Sequence, residues 1–181
     1  MSPDLVAFDL DYTVWPCFCD SHLVPPFSPK QESDGSVLTV IDSAGFELSL
    51  FPEVPRILLH LYKSGVKLST ASRTWAPDVA LDLLAMFKIS QGPDTAPIAL
   101  IDFFSSLQWG DKPKIHHIRQ AIREIYGASQ DTDSSLRDRN IYLFDDEPRN
   151  KDVEYYGVRY IPVNASKGTT WALFRKYIKD C

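Results

Sequence analysis

Leu5-Val6-Ala7-Phe8-Asp9-Leu10-Asp11-Tyr12-Thr13 is the stretch on which the fold turns. Four apolar residues run without alternation and stop at two aspartates. A run apolar on both faces suits a strand buried in a parallel sheet. Carboxylates at the end of a buried strand are costly unless a cation or hydrogen bonds hold them. The same arrangement recurs at Ile141-Tyr142-Leu143-Phe144, which ends at Asp145-Asp146. A third run, Val66 to Thr70, ends at Ala71-Ser72-Arg73-Thr74.

Helical patterns separate these strands. Glu53 to Ser64 follows Pro52 and stops at Gly65, with Ile57, Leu58, Leu61 and Tyr62 as its apolar stripe. Pro77 to Ile89 opens on a proline suited to a first helical turn. Ile115, Ile118, Ile122 and Ile125 set the register of a helix from Ile115 to Tyr126, and Thr170 to Lys179 closes the chain. Ile98 to Phe104 is a further apolar run, and Tyr156 to Pro162 a last strand. Pro16 to Gly35 and Gln130 to Asn140 read as polar loops. Val37–Val40 and Phe46–Leu50 flank Asp42-Ser43-Ala44-Gly45, which predicts a hairpin.

Strand–helix alternation with buried strands predicts a doubly wound α/β sheet. The chain reads as one domain over 1–181 with a hairpin insertion at about 36–51. In such sheets ligands bind beyond the carboxyl ends of the strands. The polar clusters at Asp9/Asp11/Thr13, Ser72/Arg73 and Asp145/Asp146 all fall there.

Composition bounds the function. The 181 residues are 44% hydrophobic and 24% charged, with net charge −5 and pI near 5.3. An acidic chain of this kind argues against a nucleic-acid binder. No stretch approaches the roughly 20 apolar residues of a membrane span. The amino terminus has no basic n-region, so a cytoplasmic location is expected. Cys17, Cys19 and Cys181 are too few for a disulfide framework.

The polar clusters have a shared chemistry. Magnesium prefers carboxylate oxygens and leaves room for substrate phosphate. A carboxylate can attack phosphorus and form an aspartyl-phosphate. Ser72 and Arg73 can hydrogen-bond phosphate oxygens, Arg in a two-pronged way. Lys112 or Lys114 could neutralise phosphate. His116 and His117 read as exposed imidazoles.

Val6 to Val14 resembles the Asp-x-Asp-x-Thr signature of the haloacid dehalogenase superfamily of phosphatases. Ser72, a lysine and Asp145-Asp146 look like its later motifs, in order. Asp-Leu-Asp-Tyr-Thr-Val-Trp-Pro, Leu-Phe-Pro-Glu-Val-Pro, Ala-Ser-Arg-Thr and Phe-Asp-Asp-Glu-Pro-Arg-Asn are together similar to the magnesium-dependent phosphatase-1 family, over nearly the whole chain. The resemblance implies roles. Asp9 would be nucleophile and Mg²⁺ ligand. Asp11 would act as acid and base, with its backbone carbonyl on the metal. Asp146 would complete the metal site, supported by Asp145. Leu10, Ser72, Arg73 and Lys114 would hold the substrate and Thr13, counted with them, would orient the loop, with Lys112 in reserve for Lys114. The hairpin is too small for a full lid, so an open site is expected. Tyr12 and Trp15 could line its mouth, and Trp15 could equally pack in the core. Such a site would take phosphotyrosine, aryl or sugar phosphates, as a small molecule or a phosphoprotein. A receiver-like domain that keeps its phosphoaspartate as a signal is the rival reading.

Overall fold

The structure, a computed structural model, describes residues 1–181. In chain order the strands and helices are β1 (Leu5–Phe8), β2 (Ser28–Gln31), β3 (Val37–Ile41), β4 (Glu47–Ser49), α1 (Val54–Lys63), β5 (Lys67–Thr70), α2 (Pro77–Met86), β6 (Lys88–Ile89), β7 (Ile98–Ala99), α3 (Lys114–Tyr126), α4 (Asp133–Arg137), β8 (Ile141–Asp145), β9 (Arg159–Pro162) and α5 (Trp171–Tyr177).

The central sheet is parallel, in the order β5-β1-β8-β9. Every residue of β1 and β8 is buried, as an uninterrupted apolar run requires. The period of two divides β1 between two apolar layers. Val6 and Phe8 join Tyr142 and Phe144 against α1, α2 and α5, where Ile57, Leu83 and Phe174 pack. Leu5 and Ala7 join Ile141 and Leu143 against α3 and α4, where Ile118, Ile122 and Leu136 pack. Helices on both faces make the sheet doubly wound.

Register positions the site. Phe8 stands opposite both Thr70 and Phe144. One residue later, Asp9, Ala71 and Asp145 emerge side by side at the carboxyl ends. The Asp9 N–H still donates to the Phe144 carbonyl at 2.9 Å.

Several elements depart from the sequence pattern. The hairpin of β3 and β4 is joined by β2, β6 and β7 into a second, five-stranded sheet. So β2 lies inside the expected loop, and the expected helix 77–89 stops at Met86. Phe87 turns extended, and Lys88–Ile89 pairs with Ala99 and Ile98 instead. Ile98 to Phe104 is not a strand of the main sheet. It is β7 followed by a 3₁₀ turn that buries Leu100 and Phe103. The segment running parallel to β5 comes just after it: Ser105 donates to the Leu68 carbonyl at 2.8 Å, and Thr70 donates to that of Ser106 at 3.1 Å. The loop 130–140 holds α4, capped by Thr132, whose hydroxyl accepts from Ser135 N–H. Before β9, Pro148–Tyr156 forms a 3₁₀ helix that Gly157 ends at a φ of 89°. No helix is long and apolar enough to cross a membrane.

Candidate active site

Asp9 ends β1, and the chain then coils tightly. The Leu10 carbonyl accepts from the N–H groups of Thr13, Val14 and Trp15. Tyr12 takes a φ of 58°, which lets the loop reverse within two residues. Its first consequence is that Asp9 and Asp11 leave the loop toward different partners. Asp11 Oδ1 accepts from Trp15 Nε1 at 2.8 Å and from Cys19 N–H at 3.1 Å. Burial raises the Asp11 pKa, and those two hydrogen bonds oppose it.

Asp9 faces Lys114 instead. Lys114 Nζ lies 2.9 Å from Asp9 Oδ1 and 3.0 Å from Asp145 Oδ2, and it also donates to the Ala71 carbonyl. The first turn of α3 thus delivers a cation under all three central strand ends. Burial disfavours the ammonium, but Asp9 and Asp145 outweigh it and hold its pKa above the ordinary lysine value. Burial pushes the Asp9 carboxyl well above the usual carboxylate range; Lys114 draws it down and Asp145 pushes it up again.

Oxygens of Asp9, Asp145 and Asp146 lie within 4.8 Å of one another. Two of these three carboxylates pair with the Lys114 ammonium. Burial also raises the Asp146 pKa. An all-oxygen, anionic donor set suits a hard divalent cation such as magnesium. Of the three, Asp145 has no lone pair to spare. It is fully buried and accepts from Glu147 N–H at 2.8 Å, from Asn150 Nδ2 at 2.9 and 3.0 Å, and from Lys114. Asp9 and Asp146 are left to reach an ion. The Asp11 side chain, turned toward Trp15, stands outside this group.

Arg73 extends the network. Its guanidinium donates to Asn150 Oδ1 at 2.7 Å and lies 3.7 Å from Asp111 Oδ1. A continuous chain of polar contacts thus runs Arg73–Asn150–Asp145–Lys114–Asp9. Of these residues Arg73, Lys114 and Asp9 line an open pocket of about 220 Å³ that also includes Asp11, Ser72 and Asp146, while Asn150 and Asp145 lie beneath it.

The structure also places the other residues that the sequence singled out. Leu10 and Thr13 are fully buried and their side chains do not line the pocket. Thr13 ties the loop down: its carbonyl accepts from Thr169 N–H at 3.1 Å and Thr169 Oγ1 at 3.0 Å. Of the two readings of Trp15 the structure takes packing: the side chain is fully buried, stacks on Phe87 and holds Asp11. His117 is also fully buried, with Nε2 3.0 Å from the Gly110 carbonyl, because its face of α3 turns inward. Lys112 is exposed and does not line the pocket, whereas Lys114 does.

The sequence profile of the acid phosphatase family matches residues 1–181. The chain belongs to the acid phosphatase family. A Saccharomyces cerevisiae protein, provisionally named a magnesium-dependent phosphatase, is 46% identical over 177 residues, covering 97% of this chain and 96% of the relative. Human magnesium-dependent phosphatase 1 is 34% identical over 162 residues, covering 89% of this chain and 78% of its own. Among solved structures, the fold is similar to the N-terminal part of a Bacteroides fragilis protein containing a phosphatase domain complexed with Mg. That likeness has TM-score 0.58 at 14% identity and covers 98% of this chain but 41% of the other.

For a member of this phosphatase family, the sequence reading overlooked three side chains at the site. Asn150 sits within the quoted Phe-Asp-Asp-Glu-Pro-Arg-Asn stretch, where its amide could have been noticed as the partner a buried carboxylate needs. Trp75 directly follows Ala-Ser-Arg-Thr, and Phe18 lies in the loop after β1. Both line the pocket. Their position follows from loop geometry and carries no periodic signal.

Proposed function

We propose that this protein is a magnesium-dependent phosphatase that hydrolyses phosphate monoesters through an aspartyl-phosphate on Asp9. The observation that carries the reading is Asp9 itself. It is a nearly buried carboxylate on a pocket floor, held by Lys114 at 2.9 Å and facing Asp146.

Asp9 and Asp146, with the Asp11 backbone carbonyl, would hold the magnesium ion, which supplies the charge that offsets repulsion between Asp9 and an anionic phosphoryl group. Asp9 attacks phosphorus, and the bond from phosphorus to the ester oxygen breaks. Asp11 gives that oxygen its proton; the raised pKa from burial keeps a proton available. Asp11 then takes a proton from water, which attacks the phosphoryl group and releases inorganic phosphate and free Asp9. Lys114, Arg73 and Ser72 stabilise the spreading negative charge. Arg73 and Lys114 are already fixed by Asn150 and Asp145, so little reorganisation is needed on binding. Loop residues Leu10 and Thr13 act through the backbone.

We read residues 1–181 as one catalytic unit, with the small second sheet in place of a lid. Phosphotyrosine, aryl and sugar phosphates are the substrates such an open site admits. The three free thiols suit a reducing, cytoplasmic setting. The test is a panel of these esters, with and without magnesium, read by phosphate release. Turnover only with magnesium supports the reading. A single-turnover phosphoprotein that persists for hours would favour the receiver-like alternative.

A further inference from the structure

A guanidinium carries a fork of N–H donors, and Arg73 uses few of its own. Its one hydrogen bond goes to Asn150 Oδ1 at 2.7 Å. Arg73 Nε is buried and has no hydrogen-bond partner. The second terminal nitrogen lies 3.7 Å from Asp111 Oδ1, near enough for an ion pair and too far for a hydrogen bond. Asp111 is the one carboxylate within ion-pair reach of Arg73, and both residues line the pocket. Arg149, the other guanidinium of that lining, has its own carboxylate in Glu147. Asp111 sits on the loop between the segment that runs beside β5 and helix α3. That loop is fastened on both sides of it: the Gln108 carbonyl accepts from Ser72 N–H at 3.1 Å, and the Gly110 carbonyl lies 3.0 Å from His117 Nε2. A carboxylate is thus held on a tied loop beside the arginine that the phosphoryl group needs.

From this geometry we propose that Asp111 is a positioning residue that acts through Arg73: it holds the guanidinium while the site is empty, yields it to a phosphoryl oxygen, and takes it back as inorganic phosphate leaves. The inference rests on the phosphatase reading above and deepens it. Carboxylate and phosphoryl group are rival anions for one two-pronged cation. The phosphoryl group carries more charge and also meets Lys114, so it displaces the carboxylate on binding. Inorganic phosphate keeps the same kind of oxygens after hydrolysis. Arg73, Lys114 and Ser72 have no means of telling it from the phosphoryl group of the substrate. Without a rival anion, Arg73 would hold product as firmly as substrate. The separation suits exchange. A charge-assisted hydrogen bond of about 2.8 Å would resist opening. A half-exposed pair at 3.7 Å is weak and screened by water. The competition acts on bound ground states, so it raises KM and the inhibition constant of phosphate together and leaves the chemical step alone.

The experiment measures steady-state constants for phenyl phosphate and, by calorimetry, the affinity for inorganic phosphate, all with saturating magnesium. The proteins are wild type, Asp111→Asn, Asp111→Glu, Arg73→Gln and the double variant of Asp111→Asn with Arg73→Gln. Wild type without turnover would sink the phosphatase reading and this inference with it. With wild type active, the comparisons bear on Asp111 alone, and calorimetry reads the Arg73→Gln pair without needing turnover. A half-exposed ion pair supports an effect of about two- to fivefold. In Asp111→Asn the dissociation constant of phosphate and KM are both expected to fall by that factor, with kcat unchanged or lowered. Asp111→Glu keeps the charge and should bind phosphate as wild type does. In the Arg73→Gln background, Asp111→Asn should leave phosphate affinity unchanged. An unaltered phosphate affinity in the single Asp111→Asn variant overturns the inference. So does the same gain with Arg73 replaced, which would mean that the carboxylate only repels anions at the rim. A Glu variant that binds phosphate as tightly as the Asn variant overturns it too, because the charge would then not be the cause. Asp111 is 45% exposed, and thermal melts of its variants are expected to match wild type.

Discussion

Lys114 Nζ lies 2.9 Å from Asp9 Oδ1, and the two residues are 105 apart in sequence. The lysine side chain is 1% exposed and that of Asp9 11%, so this ion pair is largely buried at the floor of the pocket. Breaking a buried pair by removing one partner leaves a buried charge, at a cost of about 3–5 kcal/mol. Lys114→Met would strand both Asp9 and Asp145. We expect the denaturation free energy at pH 7 to fall by that amount without magnesium and to recover in part when magnesium is added. Turnover should drop about 10²–10³-fold, as when one charge-stabilising donor is lost. A fully stable, fully active Lys114→Met protein would contradict both roles.

Magnesium should raise stability as well as activity. Asp9 and Asp146 repel each other in the folded state and are apart in the unfolded one. A cation bound only to the folded state stabilises it by RT ln(1 + [L]/Kd), about 2.7 kcal/mol at a hundredfold excess over Kd. The melting temperature should therefore climb with magnesium concentration, and excess chelator should remove both the shift and the turnover. Calcium takes larger and looser shells. It should preserve much of the thermal shift while inhibiting hydrolysis. A melting temperature indifferent to magnesium would argue that the carboxylates hold no ion.

Acid sensitivity is expected from His117. Burial, with Lys114 nearby, pushes its imidazole down to about 4 from the ordinary 6.5. The folded state thus holds His117 neutral where the unfolded chain would protonate it. The stability this contributes is present above about pH 6.5 and is lost as pH falls toward 4. At about 1.4 kcal/mol per pH unit, the loss reaches about 3 kcal/mol across that window. His117→Gln removes the titration. The denaturant midpoint of that variant should fall less between pH 7 and pH 4.5 than that of wild type. Parallel curves for the two proteins would rule the effect out.

How much of this was readable in advance depended on burial. β1 and β8 were legible because a strand covered on both faces must be an unbroken apolar run, and β5, where Leu68 alone is apolar, because it follows the helix stop at Gly65; their ends delivered Asp9, Asp146 and Ser72 together. β2 was not, since Ser28-Pro29-Lys30-Gln31 is exposed at every residue and exists only through pairing with β3. Lys88–Ile89 continued a helical pattern until tertiary pairing with Ile98 and Ala99 overrode it. At the site, carboxylates announced themselves by their cost after apolar strands. Asn150 and Trp75 carry no such cost and act through neighbours that only the folded chain supplies.

The loop clasp should show in stability. Gly168 has a φ of 64°, and a Cβ there would stand 2.1 Å from Phe51 Cδ2. Its neighbour Thr169 grips the Thr13 carbonyl, so strain at 168 is transmitted to the loop carrying Asp9 and Asp11. Gly168→Ala combines left-handed strain with overpacking and should destabilise by about 2–4 kcal/mol. Calorimetry should show the lowered melting temperature. A neutral result would mean that Phe51 moves aside freely.

Asp11→Asn separates chemistry from binding. The amide oxygen of asparagine can still accept from Trp15 Nε1 and Cys19 N–H, so the loop should stay in place. What is lost is the proton for the leaving group and the base for water. General acid–base help is typically worth about 10²–10⁴-fold. An alkyl leaving group needs that proton and should show the full loss in its first step. An aryl group of low pKa leaves with little protonation, so its first step should survive better. Water activation remains impaired for both. With aryl esters the variant should therefore release a burst of phenol, equal in amount to the enzyme, before slow turnover, and Asp9 should be trapped as its phosphorylated form. With alkyl esters no burst is expected. Equal losses for both ester types, without a burst, would show that Asp11 is not the acid. Its hydrogen bonds to Trp15 and Cys19 would then be its whole role, as a brace for the loop that presents Asp9.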